Sequence, residues 1–225
     1  MKMEKNRRVS ESIRLGTILA LTGGFLDAYS YMMRGGAFAN AETGNIVMMG
    51  ISLAQGNWMR ALYYLVPVAA FAFGVYAAEK IRALMGENPK VHWKEGVLWF
   101  EIFLIFIAGW IPQEFNAAVN SMIAFCCAMQ VETFRKIRGK AFATTMCTGN
   151  LRSGTELLFS GEYRHDVSRR RDGLHYYWID LVFVGGAAAG SAVCRMAGEK
   201  AVWFCCVSLL AGILFIRSQK RNAEV

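Results

Sequence analysis

Residues 61–78 read ALYYLVPVAAFAFGVYAA, eighteen consecutive positions with no Asp, Glu, Lys, Arg or His. A membrane-spanning helix needs roughly 20 mostly apolar residues, with about 17 as the lower limit, so this stretch alone is long enough to cross a bilayer. Working outward, 115–131 is a charge-free run of 17 and 201–216 a charge-free run of 16. Three further stretches reach spanning length with one acid inside each: 16–33 with Asp27, 96–112 with Glu101, and 174–194 with Asp180. A soluble chain of this size needs polar faces on its helices, and these stretches lack them. The expected fold is an all-α membrane protein of six transmembrane helices, a single integral membrane domain over 1–225.

Composition agrees, once charge order is considered. With 55% hydrophobic residues in 225, the chain is neither disordered nor of low complexity. The mean hydropathy of +0.28 is modest for a membrane protein, and the net charge of +8 first admits a nucleic-acid binder. The order of the cations removes that reading. If the N-terminus is cytoplasmic, the inner segments hold 21 of the 25 Lys and Arg residues and the outer side keeps Arg34, Arg60, Arg195 and Lys200. Cations gather on the cytoplasmic side of membrane proteins, and a soluble protein has no reason to alternate charge between loops. Both ends are therefore expected in the cytoplasm, with the cluster at Arg164 and 169–171 facing anionic lipid. The first apolar stretch is too long, and lacks the small-residue site, for a cleavable signal peptide.

The chain also repeats itself. Gly36-Ala37-Phe38-Ala39 followed by Thr43-Gly44-Asn45 returns as Gly139-Lys140-Ala141-Phe142-Ala143 followed by Thr148-Gly149-Asn150. Tyr63-Tyr64 recurs as Tyr176-Tyr177, and Trp99-Phe100 as Trp203-Phe204. The halves are about 11–114 and 115–217. Three spans per half is an odd number, so the second copy sits upside down, an arrangement common among transporters and shared by some channels. The apolar stretches after each motif, 44–54 and 149–160, cover only roughly 15 to 18 Å as helices. They read either as re-entrant half-helices, with Thr43 and Thr148 as N-caps and free N–H groups suited to an anion or carbonyl, or as simple turns joining helices.

At this point a resemblance emerges. Gly23-Gly24-Phe25-Leu26-Asp27-Ala28-Tyr29, Gly36-Ala37-Phe38 and Thr43-Gly44-Asn45 resemble the signature of the YoaK-like family. Ala128-Met129-Gln130 and Thr144-Thr145 through Thr148-Gly149-Asn150 resemble that family's second motif. The resemblance covers nearly the whole chain. It implies a small bacterial inner-membrane protein of about six helices, with no established activity. Two departures stand out: Val131 where the family tends to have Asn, and Glu42 where a neutral residue is expected. Glu132, next to Val131, falls opposite Asp27 in the repeat.

Intramembrane acids cost roughly 2.5 to 3.5 kcal/mol on insertion scales and usually face a bundle interior or a cavity. Asp27 is thus the leading site candidate, as an ionisable group on a solute path or as a partner of Arg34. Thr43, Gly44, Asn45, Gln130, Thr148, Gly149 and Asn150 are the other path residues. Glu42, Glu101, Glu132 and Asp180 are secondary, with Glu101 and Asp180 expected near helix ends. Gly185, Gly186, Ala189 and Gly190 form a small-residue face for helix packing. The six cysteines lie in apolar stretches with no CxxC pair, and the three histidines lie in loops or at a helix end, so neither metal nor other cofactor is expected. No nucleotide loop, G-x-S-x-G or HExxH occurs, and nothing marks an enzyme.

The functional expectation is a transporter or channel-like protein of the bacterial plasma membrane for a small polar or anionic solute. The alternative is a non-transporting scaffold or regulatory partner. Expected partners are the lipid bilayer and an unidentified small solute, with no nucleic acid; a homo-oligomer is left open.

Overall fold

The computed structural model describes residues 12–85, 93–137, 140–142 and 144–221. The expected cytoplasmic tails with Lys2, Lys5, Arg7 and Arg8 lie outside the described residues. So do Lys90, His92, Arg138, and Gly139 and Ala143 of the second motif.

Among the described residues eight α-helices follow in order: α1 Ile13–Met33, α2 Glu42–Ala54, α3 Trp58–Met85, α4 Trp93–Ala108, α5 Asn116–Thr133, α6 Cys147–Tyr163, α7 Val167–Ala197 and α8 Trp203–Arg221. Short 3-10 turns, Gln113–Phe115 and Gly198–Val202, precede α5 and α8. The one departure from all-α is a two-residue antiparallel ladder ahead of α6, Lys136–Ile137 with Lys140–Ala141. Two helices start where a side chain caps the free N–H groups: Ser12 accepts from the Arg14 N–H, and Asp166 from those of Ser168 and Arg169.

Two segments are long and apolar enough to cross a membrane: α3, with mean hydropathy 1.7, and the helical run 167–219, with 2.0. The exterior of the bundle is unusually apolar, and acids and amides lie inside it. Phe73, Phe103, Leu181 and Val207 are exposed, whereas Asp27, Asn45, Glu101 and Gln130 are buried. An apolar exterior, around an interior that holds acids and amides among its apolar side chains, suits a hydrocarbon surround.

Contacts between helices fall into matching pairs. Helix α1 packs along α7 and α5 along α3; α2 lies against α3 and α6 against α7; α4 and α8 face each other. In the first pairing the helices run parallel, since Gly186 meets Leu21 and Gly190 meets Phe25. A Cβ on Gly24 would stand 2.0 Å from the Phe183 carbonyl oxygen, and one on Gly186 2.1 Å from that of Leu21. Only glycine permits this approach. The expected small-residue face is thus half correct. Gly186 and Gly190 pack on α1, but Gly185 and Ala189 are exposed, because only one of the two adjacent i,i+4 rows can point at a single neighbouring helix. The parallel α3–α5 pairing uses Gly74, where a Cβ would come within 2.6 Å of the Phe125 oxygen.

Arg34 follows the C-terminus of α1 and is fully buried. Its Nη atoms donate to the carbonyl oxygens of Ala108 (2.9 Å) and Ile111 (2.8 Å), at the C-terminal end of α4, and its Nε donates to the Tyr29 hydroxyl (2.8 Å). A cation suits free carbonyls at a helix end. No contact joins Arg34 to Asp27, so that expected pairing is corrected: seven residues of helix, about 10 Å, separate them along α1.

Candidate functional site

The chain reverses after α1 at Gly35 and Gly36, whose φ angles of 78° and 80° favour glycine. A Cβ on Gly35 would also stand 2.5 Å from the Tyr63 hydroxyl. Residues 37–41 then run back along α1 into the bundle. The Asn40 backbone N–H donates to Asp27 Oδ1 (2.7 Å), and Asn40 Nδ2 donates to the Gly23 carbonyl (3.1 Å). From there α2 returns outward, so that Arg60, just after it, donates to the Gly35 carbonyl (2.9 Å).

Extended backbone inside an apolar bundle must have its polar groups satisfied, and the first motif does this. Asn45 Oδ1 accepts from the Phe38 N–H (2.9 Å), while Nδ2 donates to the Phe38 carbonyl (2.8 Å) and to Glu42 Oε2 (2.9 Å). Gly44 lets the Phe38 ring lie against the first turn of α2, where a Cβ would meet ring carbons at 2.8 and 3.0 Å. Thr43 is exposed and is not the N-cap: α2 begins at Glu42, two residues before the expected start, after Ala41, which gives no side-chain cap. Asn45 and Asp27 take over the loop-holding task.

The second copy enters from the other end. Phe142 donates its N–H to the Arg135 carbonyl (2.9 Å) and stacks on Tyr176, ring centroids 4.4 Å apart. Thr145 then presses on α1, its Cγ2 only 2.4 Å from where a Cβ of Gly23 would stand. Helix α6 starts at Cys147 after an uncapped Met146, so Thr148 is likewise not the N-cap; it is exposed. Gly149 is exposed too, and a Cβ added there would have nothing within 4 Å. Buried Asn150 donates through Nδ2 to Asp180 Oδ1 (2.8 Å) on α7. Cys147 lies within electrostatic reach of both Asp180 and Asp27.

Gly23 is therefore the meeting point: Asn40 bonds its carbonyl from one side and Thr145 covers its Cα from the other. The N-termini of α2 and α6 approach this point from opposite ends of the bundle, each with its free N–H groups and partial positive charge directed inward. In the first loop and the start of α2, Asn40 Oδ1 and Glu42 Oε1, and in the second loop and on α7, Thr144 Oγ1, Thr145 Oγ1 and Asp180 Oδ2, are buried and have no hydrogen-bond partner among the described residues. Buried polar atoms are ordinarily paired. Asn120 Oδ1 and Thr133 Oγ1, both on α5, are buried and unpaired as well.

The other expected residues sit elsewhere. Glu101 is fully buried near the middle of α4, not near its end, and Gln130 Nε2 donates to both its oxygens (2.8 and 3.0 Å). That closed pair joins α4 to α5, which places Gln130 outside the junction. Asp180 also lies mid-helix, in α7. Glu132, opposite Asp27 in the repeat, pairs with Arg82 and Arg135, both at 2.9 Å, at the end of α5. No disulfide forms, and no group of three or more His, Cys, Asp or Glu that could hold a metal occurs among the described residues. An open cleft of about 760 Å³ lies at the Arg34 end, lined in part by Trp110, Glu199 and Lys200; its lining does not include the junction residues.

Asn40, Thr144 and Thr145 were not among the sequence candidates. The available signal was position: Asn40 and Thr144 each directly follow the Ala-Phe-Ala of their motif copy.

Comparison with known proteins gives a family and no activity. A family described as "Protein of unknown function (DUF1275)" matches residues 15–215. The UPF0700 transmembrane protein YoaK of Bacillus subtilis (strain 168) is 25% identical over 144 residues, which cover 61% of this chain and 63% of that protein's length. No solved structure matches. The YoaK-like resemblance holds, and the chain belongs to the DUF1275 family of proteins of unknown function.

Proposed function

We propose that the protein is a six-helix membrane transporter or channel-like protein in which a small polar solute passes the junction at Gly23. The observation that carries this is that the N-termini of α2 and α6 enter from opposite ends beside buried polar atoms that lack partners. A membrane location is supported by the apolar exterior, by the two spanning-length segments, and by the relative's description as a transmembrane protein.

The inverted three-helix repeat is supported by the matched pairings, α1 with α7 as α5 with α3, and by the loops that enter from opposite ends. Transporters commonly place substrate sites where such repeats meet, at broken or half-helices. Under this reading α2 and α6 are re-entrant, and both termini face the cytoplasm of a bacterial cell. No bond-making step is involved and no enzyme activity is proposed.

Flux is the test. Purified protein in liposomes should pass a solute from a broad panel of small polar compounds, and Asp27→Asn and Thr145→Val should slow it. Equal leak from wild type and both variants for every solute would reject the reading. For orientation, Asn57→Cys should react with an impermeant thiol reagent on intact spheroplasts and Arg164→Cys should not.

A second reading, a non-transporting scaffold, is favoured by Asn45, whose amide is wholly used in holding its own loop. It expects no flux and an unchanged fold on changing Thr145.

A further inference from the structure

The two short helices differ on the faces they turn away from the bundle. Aligned on Thr-Gly-Asn, Val47 and Ile51 of α2 correspond to Arg152 and Glu156 of α6. All four residues are exposed. Helix α2 presents branched apolar side chains to its surroundings, as a hydrocarbon-facing surface should. At the same positions of the repeat α6 presents a cation and an anion, one turn apart. Neither Arg152 nor Glu156 has an ion pair or a side-chain hydrogen bond among the described residues.

The register of α6 on α7 fixes their depth. The two helices run antiparallel: Asn150 bonds Asp180, Gly154 lies against Gly173 and Tyr176, and Gly161 lies against Arg170. Arg152 therefore stands between the levels of Asp180 and Tyr176, inside the apolar run 174–194, and Glu156 one turn nearer its edge. Charges at such a depth are costly unless they reach water or meet an opposite charge. Pairing within the helix does not occur here, and Arg ahead of Glu at i,i+4 is the weaker order. Asn150, Gly154 and Gly161 take the side of α6 that meets α7. Arg152, Glu156, Phe159 and Tyr163, at spacings of four, three and four, form an exposed stripe on the other side.

This stripe is complementary to itself. Two copies of the chain in one bilayer share the same orientation, so a two-fold axis along the membrane normal sets their α6 helices parallel. Spacings of three and four are those of a parallel two-helix seam. Across that seam each Arg152 stands one turn from Glu156 of the second copy, and the reverse contact follows by symmetry. Both charges are then paired twice over without any third element.

We propose that the outward face of α6 is the interface of a homodimer, held by reciprocal Arg152–Glu156 ion pairs and, toward the end of the helix, by the stacked Phe159 and Tyr163 rings. Helix α2, with Val47 and Ile51 in the corresponding places, faces lipid and takes no part. Such a dimer forms whether or not the protein transports a solute.

The test measures the mass of purified full-length protein in detergent by light scattering, and self-association in liposomes by energy transfer between labelled copies as protein is diluted into lipid. The wild type should be a dimer. Arg152→Glu and Glu156→Arg should each raise its dissociation constant roughly tenfold or more, whereas Val47→Ala on α2 should leave it unchanged. Mixed in equal amounts, the two single variants should pair with each other, because one then carries only acids on the stripe and the other only cations. The double exchange Arg152→Glu/Glu156→Arg should restore the wild-type constant, which a loss of fold would not allow. If a single reversal does not fold, Arg152→Gln removes the charge without reversing it and should also weaken association. A monomeric wild type, association that ignores these charges, or single variants that fail to pair when mixed would overturn the proposal. A wild-type monomer in which Arg152→Cys reacts with a water-soluble thiol reagent would overturn it too, and would assign the stripe to a water-lined path.

Discussion

The two copies of the Thr-Gly-Asn motif, 43–45 and 148–150, have the same sequence and do different work. In the first, the Asn side chain is consumed locally: it bonds both backbone groups of Phe38 and the Glu42 carboxylate. The glycine is required, because Phe38 lies on it. In the second, Asn150 reaches across to Asp180 on another helix, Gly149 faces open space, and the preceding Thr144 and Thr145 leave buried hydroxyls unpaired. A repeat related by duplication need not keep its hydrogen bonds, since each copy meets a different partner helix: Pro67 in the first half stands where the second half has Asp180. The first copy bonds its own loop, and the second bonds the neighbouring helix α7.

The comparison can be broken by substitution, and the largest effect is expected at Asn45. Asn45→Ala orphans the Phe38 N–H and carbonyl together and should destabilise the fold by about 2–5 kcal/mol, read as a fall in the denaturation midpoint of purified protein. Equal loss from Asn150→Ala would remove the distinction between the two copies.

Next come the glycines of the α1–α7 crossing. Gly24→Ala and Gly186→Ala each force a methyl onto carbonyl oxygens of the opposing helix and should cost about 1–3 kcal/mol, with reduced yield of monodisperse protein.

The two motif glycines then give a direct contrast. Gly44→Ala should cost about 1 kcal/mol through the Phe38 ring, whereas Gly149→Ala, in open space inside a helix, should stabilise by about 0.5–1 kcal/mol. The same sign at both positions would show that the copies are equivalent after all.

The smallest effect is expected at Glu132, the repeat partner of Asp27. Its ion pairs with Arg82 and Arg135 are partly exposed. Glu132→Gln should therefore cost under about 1 kcal/mol, and less still at high salt.

Much of this was legible in the chain. The run at 61–78, the alternating cations and the doubled motif predict long apolar helices with two short ones between them; α2 matches its stretch with a start two residues early, whereas α6, at 17 residues, extends past its stretch at both ends and is longer than α4. Gly186 and Gly190 were legible as packing residues because close approach requires glycine at spacing four. Partners were not legible. Glu101 and Gln130 are 29 residues apart and nothing in their neighbourhoods announces the bond between them. Asn40 reads as an ordinary loop residue until the reversal at Gly35 and Gly36 carries it back to Asp27. Thr43 and Thr148 read as N-caps, yet the helices start at Glu42 and Cys147, which puts both threonines inside the first turn and exposed.

What the sequence by itself determined is therefore local and one-dimensional: helix positions, the periodicity of small residues, the order of charge along the chain, and family membership through motif spelling. These depend on runs of a few to twenty residues, over which hydrophobicity and backbone geometry act directly. Only the tertiary structure decided which acids meet cations and which meet amides. That depends on the depth at which two loops from opposite ends of the bundle stop, at Gly23. A carboxylate has the same letter code whether an amide or a cation stands beside it, and only the fold decides that Glu42 meets Asn45, Asp180 meets Asn150 and Glu132 meets Arg82 and Arg135.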